Sequence, residues 1–348
     1  MTKRAKAIER VLIVRLGGIG DVIVASTLVA RVRADLPGAH LTFVTGKAAA
    51  PIARLFDVDQ VIVADESAIL SGSAVARALA LLSLWRQLVA ARPDRVLMLH
   101  VDARYRVLVA PLLNTRVDML TRANHGAMIP VPGRWLGDEY ARLLDGNAHV
   151  GPIERRFDIA DVRDRVPARA DDPCTIVLVP GGGRNVLRDN SVRRWPVAHY
   201  VALSEMLLEA GYSIVLIGAA EDEWVLPAFD GTAVRSEIGK LNLVDTLALM
   251  RGVRLVISHD TGPMHLARLV RAPLVALFGP TSPEIILSTD STVTVLWGGA
   301  HLACRPCYDG RVFAQCADNV CMSSIAPRRV FEAAMAELAR AATAPPPR

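Results

Sequence analysis

Asp21 stands directly after the glycine turn Gly17-Gly18-Ile19-Gly20, which itself closes an apolar run at 11–16. A strand that turns through glycines into a helix is the pattern of nucleotide-binding βα units. A carboxylate at that place is ill suited to pyrophosphate, whose charge it repels. It is well suited to accept a proton from a hydroxyl, because a helix N-terminus favours its ionised form. The same carboxylate could simply cap the helix, and the residues alone leave cap and general base open. The dinucleotide reading fails on two further points. Gly18-x-Gly20-x-x-Ile23 lacks a third glycine, and the run at 41–45, LTFVT, ends without the acid that would hold a ribose.

The second half carries better anion chemistry. TIVLVP (175–180) leads into Gly181, Gly182 and Gly183, whose backbone N–H groups can approach a phosphate. Arg184, Arg188, Arg193 and Arg194 follow closely. Further on, SHDTGPMH (258–265) places polar groups between two apolar runs, at the carboxyl end of one strand and the start of a helix, where open α/β sheets bind ligands. The bland alternative is Asp260 as a cap and His265 as a packed core residue. The acidic pair Asp57-Val58-Asp59 has the D-x-D spacing of metal-using transferases, but it lies far from the phosphate candidates and reads as a turn. Cys304, Cys307, Cys316 and Cys321 are spaced C-x2-C-x8-C-x4-C. Four thiolates so placed could surround one structural Zn or Fe, or stay reduced and inert. Cys174, beside a strand, reads as core.

These residues need rigid elements to hold them. Strand candidates in the first half are 11–16, 40–45, 60–65 and 95–100, alternating with helical stretches of which 22–36 is the clearest. The charged, proline-containing stretch 151–173 reads as a linker. The same grammar then restarts, with strands at 175–180, 212–218, 254–259 and 273–279 and a helix beginning near Trp195-Pro196. Alternating strands and helices imply α/β architecture with parallel sheets. The expected organisation is a Rossmann-like domain at 1–165, a second at 174–326, and a C-terminal helix with a frayed tail at 327–348.

The first 170 residues hold 24 Lys and Arg against 17 Asp and Glu, and the remainder 16 against 18. A basic half suggests an anionic partner, although solvation by arginine would look the same. The start, MTKRAKAIER followed by VLIV before Arg15, is too short for a secretory apolar core, so the chain reads as cytosolic with reduced cysteines. The most apolar helical stretch, 73–91, is interrupted by Arg77 and Arg86 and reads as unable to span a bilayer comfortably.

Three segments together resemble glycosyltransferase family 9, whose best-known members are the ADP-heptose:lipopolysaccharide heptosyltransferases. They are RLGGIGDVIVASTLVARVRADLPGAHLTFVT, the RRWP of 193–196, and ISHDTGPMHLARLVRAPLVALFGPTSPE, the last being the most specific. The resemblance covers nearly the whole chain and implies a GT-B fold, two Rossmann-like domains facing across a cleft. It implies an N-terminal domain for the acceptor, with Gly17, Gly18 and Gly20 on the acceptor side, and a C-terminal domain for the ADP-sugar. It further implies inverting transfer without a catalytic metal, with Asp21 as general base.

By the same resemblance Gly181, Gly182, Asp260, Thr261, Gly262 and Pro263 lie at the donor diphosphate, with His265 behind them. Arg193 stands where family members usually carry Lys, beside Arg194. Glu221, or its neighbours Asp222 and Glu223, would meet the ribose. Many relatives carry a similar cysteine cluster, and heptosyltransferases that modify autotransporter proteins resemble it with bound iron. The implied partners are an ADP-sugar donor, an anionic glycolipid acceptor and a transient contact with the inner-membrane surface, not nucleic acid. The acceptor-facing loops, about 45–50 and 100–135, carry no readable acceptor code. Another nucleotide sugar, a protein acceptor, or a non-catalytic nucleotide-sugar-binding role are the alternatives.

Overall fold

The structure, a computed structural model, describes residues 9–119, 134–145, 155–169, 172–185, 188–287, 293–308 and 313–343. The chain divides into two units, Met1–Ala160 and Asp161–Arg348.

In the first unit, β1 (Arg10–Val14), β2 (His40–Gly46), β3 (Gln60–Ala64), β4 (Arg95–Met98) and β5 (Arg116–Met119) pair in parallel in the order β3-β2-β1-β4-β5. Val11, Leu12, Ile13 and Val14 are all buried, as expected of a central parallel strand covered on both faces by helices. Those helices are α1 (Ile19–Asp35), α2 (Ala50–Ala53), α3 (Glu66–Ser71), α4 (Ala74–Ala91) and α5 (Leu136–Arg142). The strand order reverses at β1, between β2 and β4. Ligands of such sheets bind beyond the strand ends at this switch point, where the glycine loop between β1 and α1 lies.

The second unit repeats the plan with a longer sheet, β10-β9-β6-β11-β12-β13. Its strands are β6 (Thr175–Val179), β9 (Ser213–Leu216), β10 (Arg235–Ser236), β11 (Leu255–His259), β12 (Leu274–Phe278) and β13 (Thr294–Trp297), all parallel. A separate antiparallel pair, β7 (Arg184–Asn185) and β8 (Arg188–Asp189), follows β6. The helices are α6 (Val197–Glu209), α7 (Leu243–Gly252), α8 (Gly262–Leu269), α9 (Pro283–Ile286), α10 (Val320–Ser323) and α11 (Pro327–Thr343). Here the order reverses at β6, between β9 and β11. The glycines after β6 and the Asp260 loop after β11 therefore come from the two strands that flank one switch point.

The structure differs from the sequence reading in four places. The stretch read as a linker is packed: Phe157, Ile159, Val162 and Val166 are buried between its charges. Val162 N–H donates to Leu269 and Arg169 N–H to Ala248, which ties the segment to the second unit. Helix α11 buries Val330, Ala334 and Leu338 in the second core, so it belongs to that unit. The edge strands β5, β10 and β13 have no counterpart among the strand candidates of the sequence. Cys174 is exposed rather than core, because it precedes β6 at the turn where its own N–H meets Asp172.

Candidate active site

In the first unit Gly17 adopts φ +111°, open to glycine but strained for other residues, and so turns the chain from β1 into α1. Gly18 is the residue preceding α1, and Gly20 and Asp21 lie in its first turn. The Asp21 side chain is not a cap. It pairs with the Arg15 guanidinium at 2.6 Å and remains 40% exposed, within reach of a solvent-borne hydroxyl. Arg15 also donates to the Leu99 carbonyl at 3.2 Å. Burial opposes the charge of Arg15, but Asp21, Tyr140 and Tyr105 outweigh it and raise its pKa above the ordinary arginine value.

Two further residues complete this corner. Glu66, the first residue of α3, packs against Gly46, where any Cβ would collide with its carboxylate. Burial, aided by the Asp21 charge, pushes the Glu66 pKa up, while the Gly17 N–H and Arg15 hold it back. His100 accepts the Leu16 N–H on Nε2 at 3.0 Å and stacks on Tyr105, the ring centroids 3.8 Å apart. Burial and the neighbouring Arg15 hold its pKa well below the usual imidazole value, so it is neutral. Nothing in the spacing of Glu66 or His100 points to this corner. Only the β3-β2-β1-β4 order brings the strands before them, β3 and β4, to it.

In the second unit Gly182, at φ +89°, faces Thr261, and a Cβ on it would lie 3.2 Å from the threonine methyl. Its N–H donates to Asp222 at 2.7 Å, and the other Asp222 oxygen accepts the Ala219 N–H at 3.0 Å. Asp222 is thereby buried and committed to the glycine loop, packed so closely on Gly181 that a Cβ there would collide. Of the three acids considered for a ribose, Glu221 and Glu223 are the exposed ones.

Arg194 donates to the Gly182 carbonyl at 2.7 Å and lies 5.3 Å from the Trp224 ring centroid. Arg193 meets Asp260 at 3.3 Å, and the same carboxylate oxygen accepts the Thr281 hydroxyl at 2.9 Å. The side chains of 184–189, including Arg184 and Arg188, lie outside the described residues.

Helix α8 begins at Gly262 with Pro263 in its first turn, and its preceding residue Thr261 makes no side-chain capping bond. Its first-turn N–H groups are thus left for an anion. His265 is buried behind them, 3.4 Å from Arg268, and burial with Arg268 and Arg193 keeps it neutral. His259 is buried on β11 with Nδ1 3.0 Å from the Tyr200 hydroxyl, its pKa pushed down to about 3 by burial and by Arg193 and Arg194. The structure therefore gathers Gly181, Gly182, Arg193, Arg194, Asp260, Thr261, Gly262 and Pro263 at one switch point, and leaves Glu221 at its exposed edge. The pair Asp57-Val58-Asp59 is structural: Asp59 accepts the Leu41 N–H and pairs with Arg33.

The cysteine segment braces this site. Cys307 N–H donates to the Pro280 carbonyl beside Thr281, and Asn319 Nδ2 to the Arg194 carbonyl at 3.1 Å. Trp195 Nε1 donates to Ile325 at 2.9 Å. Cys304 and Cys316 are exposed, Cys307 half-buried and Cys321 buried. Burial raises the pKa of Cys307 and Cys321, and the charges of the other thiols raise them further. The Asn319 N–H donates to the Cys316 sulfur at 3.2 Å, while the Ala314 and Met322 N–H groups donate to the Cys307 and Asn319 carbonyls. As placed, no three His, Cys, Asp or Glu side chains among the described residues converge closely enough to hold a metal ion.

Comparison with known proteins bears on the family and the fold. Residues 164–316 match glycosyltransferase family 9 (heptosyltransferase). Lipooligosaccharide heptosyltransferase 2 of Haemophilus influenzae is 36% identical over 127 residues, 32% of this chain and 35% of that protein. The alignment thus spans about a third of the curated relative's length. Two solved structures match almost throughout. A family 9 glycosyl transferase from Veillonella parvula has a TM-score of 0.73 at 21% identity, over 95% of this chain and 97% of that one. The ADP-heptose lipopolysaccharide heptosyltransferase II of Escherichia coli has a TM-score of 0.69 at 18% identity, over 96% and 100%. At such identities the likeness fixes the fold, which is the GT-B class.

Proposed function

We propose that this chain, which belongs to glycosyltransferase family 9 and is related to the lipopolysaccharide heptosyltransferases, moves a heptose from ADP-heptose to a lipopolysaccharide-core type acceptor. The observation that carries the reading is the anion site of the second unit. Uncapped N–H groups of α8, positive-φ glycines and two arginines converge there, with Asp260 orienting Arg193 and Thr281.

In the proposed reaction Asp21 takes the proton of the acceptor hydroxyl as its oxygen attacks the anomeric carbon. The bond from that carbon to the diphosphate breaks, ADP leaves with the electron pair, and the anomeric configuration inverts. Arg193 and the α8 amides stabilise the growing charge on the leaving group, which is the step where fixed dipoles act most strongly. Arg15 holds the Asp21 carboxylate in place. No metal takes part in the transfer, and the protein works on the cytoplasmic side of the inner membrane. The test is acceptor-dependent release of ADP from ADP-heptose, followed by mass spectrometry of the product. Release with a protein acceptor and none with a lipopolysaccharide-core acceptor would replace the acceptor class. Absence of release with any acceptor would leave a binding protein.

The four cysteines are proposed to hold one structural Zn or Fe. Four thiolates suit either ion, and the Asn319 N–H already faces the Cys316 sulfur; since the four side chains do not converge as placed, the ion would have to draw them together. Metal analysis of protein purified without added metal should find about one ion per chain. Because the segment braces Pro280 and Arg194, removing the ion should raise the donor KM more than it lowers kcat. Four thiols that titrate freely in the native protein, with no ion bound, retire the site.

A further inference from the structure

Helix α4 has two apolar faces. Leu84 and Leu88 are its buried residues and anchor it in the first core. At about 100° per residue the opposite side carries Val75, Leu79, Leu82, Arg86 and Val89. Val75 is 70% exposed, Leu79 62%, Leu82 52% and Val89 51%. A surface helix ordinarily turns polar residues away from its buried stripe, whereas α4 turns leucine and valine. It is long and apolar enough to cross a membrane, by length and composition. Yet it forms the crossover between the parallel strands β3 and β4, and such a connection must lie along its sheet. The exposed stripe therefore stays at the surface, and contiguous apolar surface of this kind marks an interaction site.

The surrounding charge selects the occupant. No Asp or Glu occurs between Glu66 and Asp94. Arg10, Arg86 and Arg92 line one groove together with Leu82, Trp85 and Val89. Among the described residues neither Arg86 nor Arg92 has an ion-pair partner. A second copy docking through the same face would set these arginines against their own kind. An anionic bilayer offers hydrocarbon to the stripe and phosphate to the guanidiniums.

We propose that the exposed stripe of α4, with the Arg10, Arg86 and Arg92 groove, docks the first unit onto an anionic lipid bilayer, apolar side chains at the acyl boundary and guanidiniums among the headgroup phosphates. None of these residues belongs to the anion site or to the Asp21 corner, so lipid binding and sugar transfer can fail separately. The full-length protein is co-sedimented with vesicles of equal parts phosphatidylglycerol and phosphatidylcholine, and with pure phosphatidylcholine. Binding to the anionic vesicles should be at least about tenfold tighter and should weaken at about 0.5 M salt, where screening shortens to a few Å.

The double variant Leu79→Asp/Leu82→Asp should lose at least about tenfold in vesicle affinity, and Arg86→Glu about the same. Both act at exposed positions, and ADP release should be unchanged in each. If the double variant does not fold, Arg86→Glu alone decides. Three results overturn the proposal: no binding of the native protein to anionic vesicles, native-like binding by Arg86→Glu, or a dimer in sedimentation velocity that the variants dissolve while lipid binding is absent.

Discussion

Replacing Asp21 by Asn should leave a folded protein whose turnover is lowered at least about a hundredfold, the lower end of what general-base catalysis contributes. Asn keeps the shape of the side chain, and its Oδ1 can still accept from Arg15. What is lost is the ability to take up a proton. The carboxylate makes no helix-capping bond, so no capping energy is at stake. Arg15 loses an opposite charge but keeps the Leu99 carbonyl. Because Asp21 is partly exposed, the stability cost should be about 1 kcal/mol, about 1–2 °C in Tm for a chain of this size. ADP-sugar affinity should change by less than about threefold, since uniform binding of the donor is untouched. Turnover at saturating donor, titration with ADP and thermal unfolding separate these effects. Retention of most of the turnover means that Asp21 serves only to hold Arg15, and the base lies elsewhere.

Arg193→Ala should cost roughly 2–4 kcal/mol of transition-state stabilisation, about 30- to 1,000-fold in kcat/KM for the donor. The guanidinium is held by Asp260 and lies 6.0 Å from the Phe313 ring centroid. Its buried Nε has no partner among the described residues, a donor in reserve for an incoming oxyanion. Removing the side chain also strips the buried Asp260 of its cation, so the alanine variant could lose structure as well as chemistry. Arg193→Lys controls for this. It restores the charge, though as a point donor in place of a planar fork, and should recover most of the donor kinetics. If the alanine variant matches the native protein, the charge that meets the leaving group belongs to Arg194.

The sequence carries some of this architecture plainly and some not at all. Central strands such as β1 and β6 are continuous apolar runs and are legible. The strands β5, RVDM, and β10, RS, are short, charged edge strands with no periodic signal. The glycine turns and the Asp260 loop are local in the chain and visible in it. The partners that fix them are not. Asp222 is set apart from Glu221 and Glu223 in the fold by being buried, and three consecutive acids give no such sign in the sequence until one meets two backbone donors. Glu66 lies far along the chain from Asp21, and only parallel pairing of β2 with β3 carries it to the glycine loop. Conversely, the arginines that argue against a membrane-spanning α4 are visible in the sequence. Its second apolar face is not, because it shows only once Leu84 and Leu88 are known to point inward.

The buried imidazoles set a limit to the acidity that the fold tolerates. His100 in the first unit, and His259 and His265 in the second, are all held neutral in the native state by burial and nearby arginines. In the unfolded chain each accepts a proton below its ordinary value near 6.5. Between that value and its depressed folded pKa, about 3 for His259, the unfolded state binds protons that the native state refuses. Stability is therefore fully present above about pH 6.5 and drains away as pH falls, for His259 by up to about 1.4 kcal/mol per pH unit and for His100 and His265 in the same direction. Mild acid should thus destabilise this protein before its carboxylates are protonated, and an equilibrium titration of unfolding should show proton uptake that begins with the imidazoles.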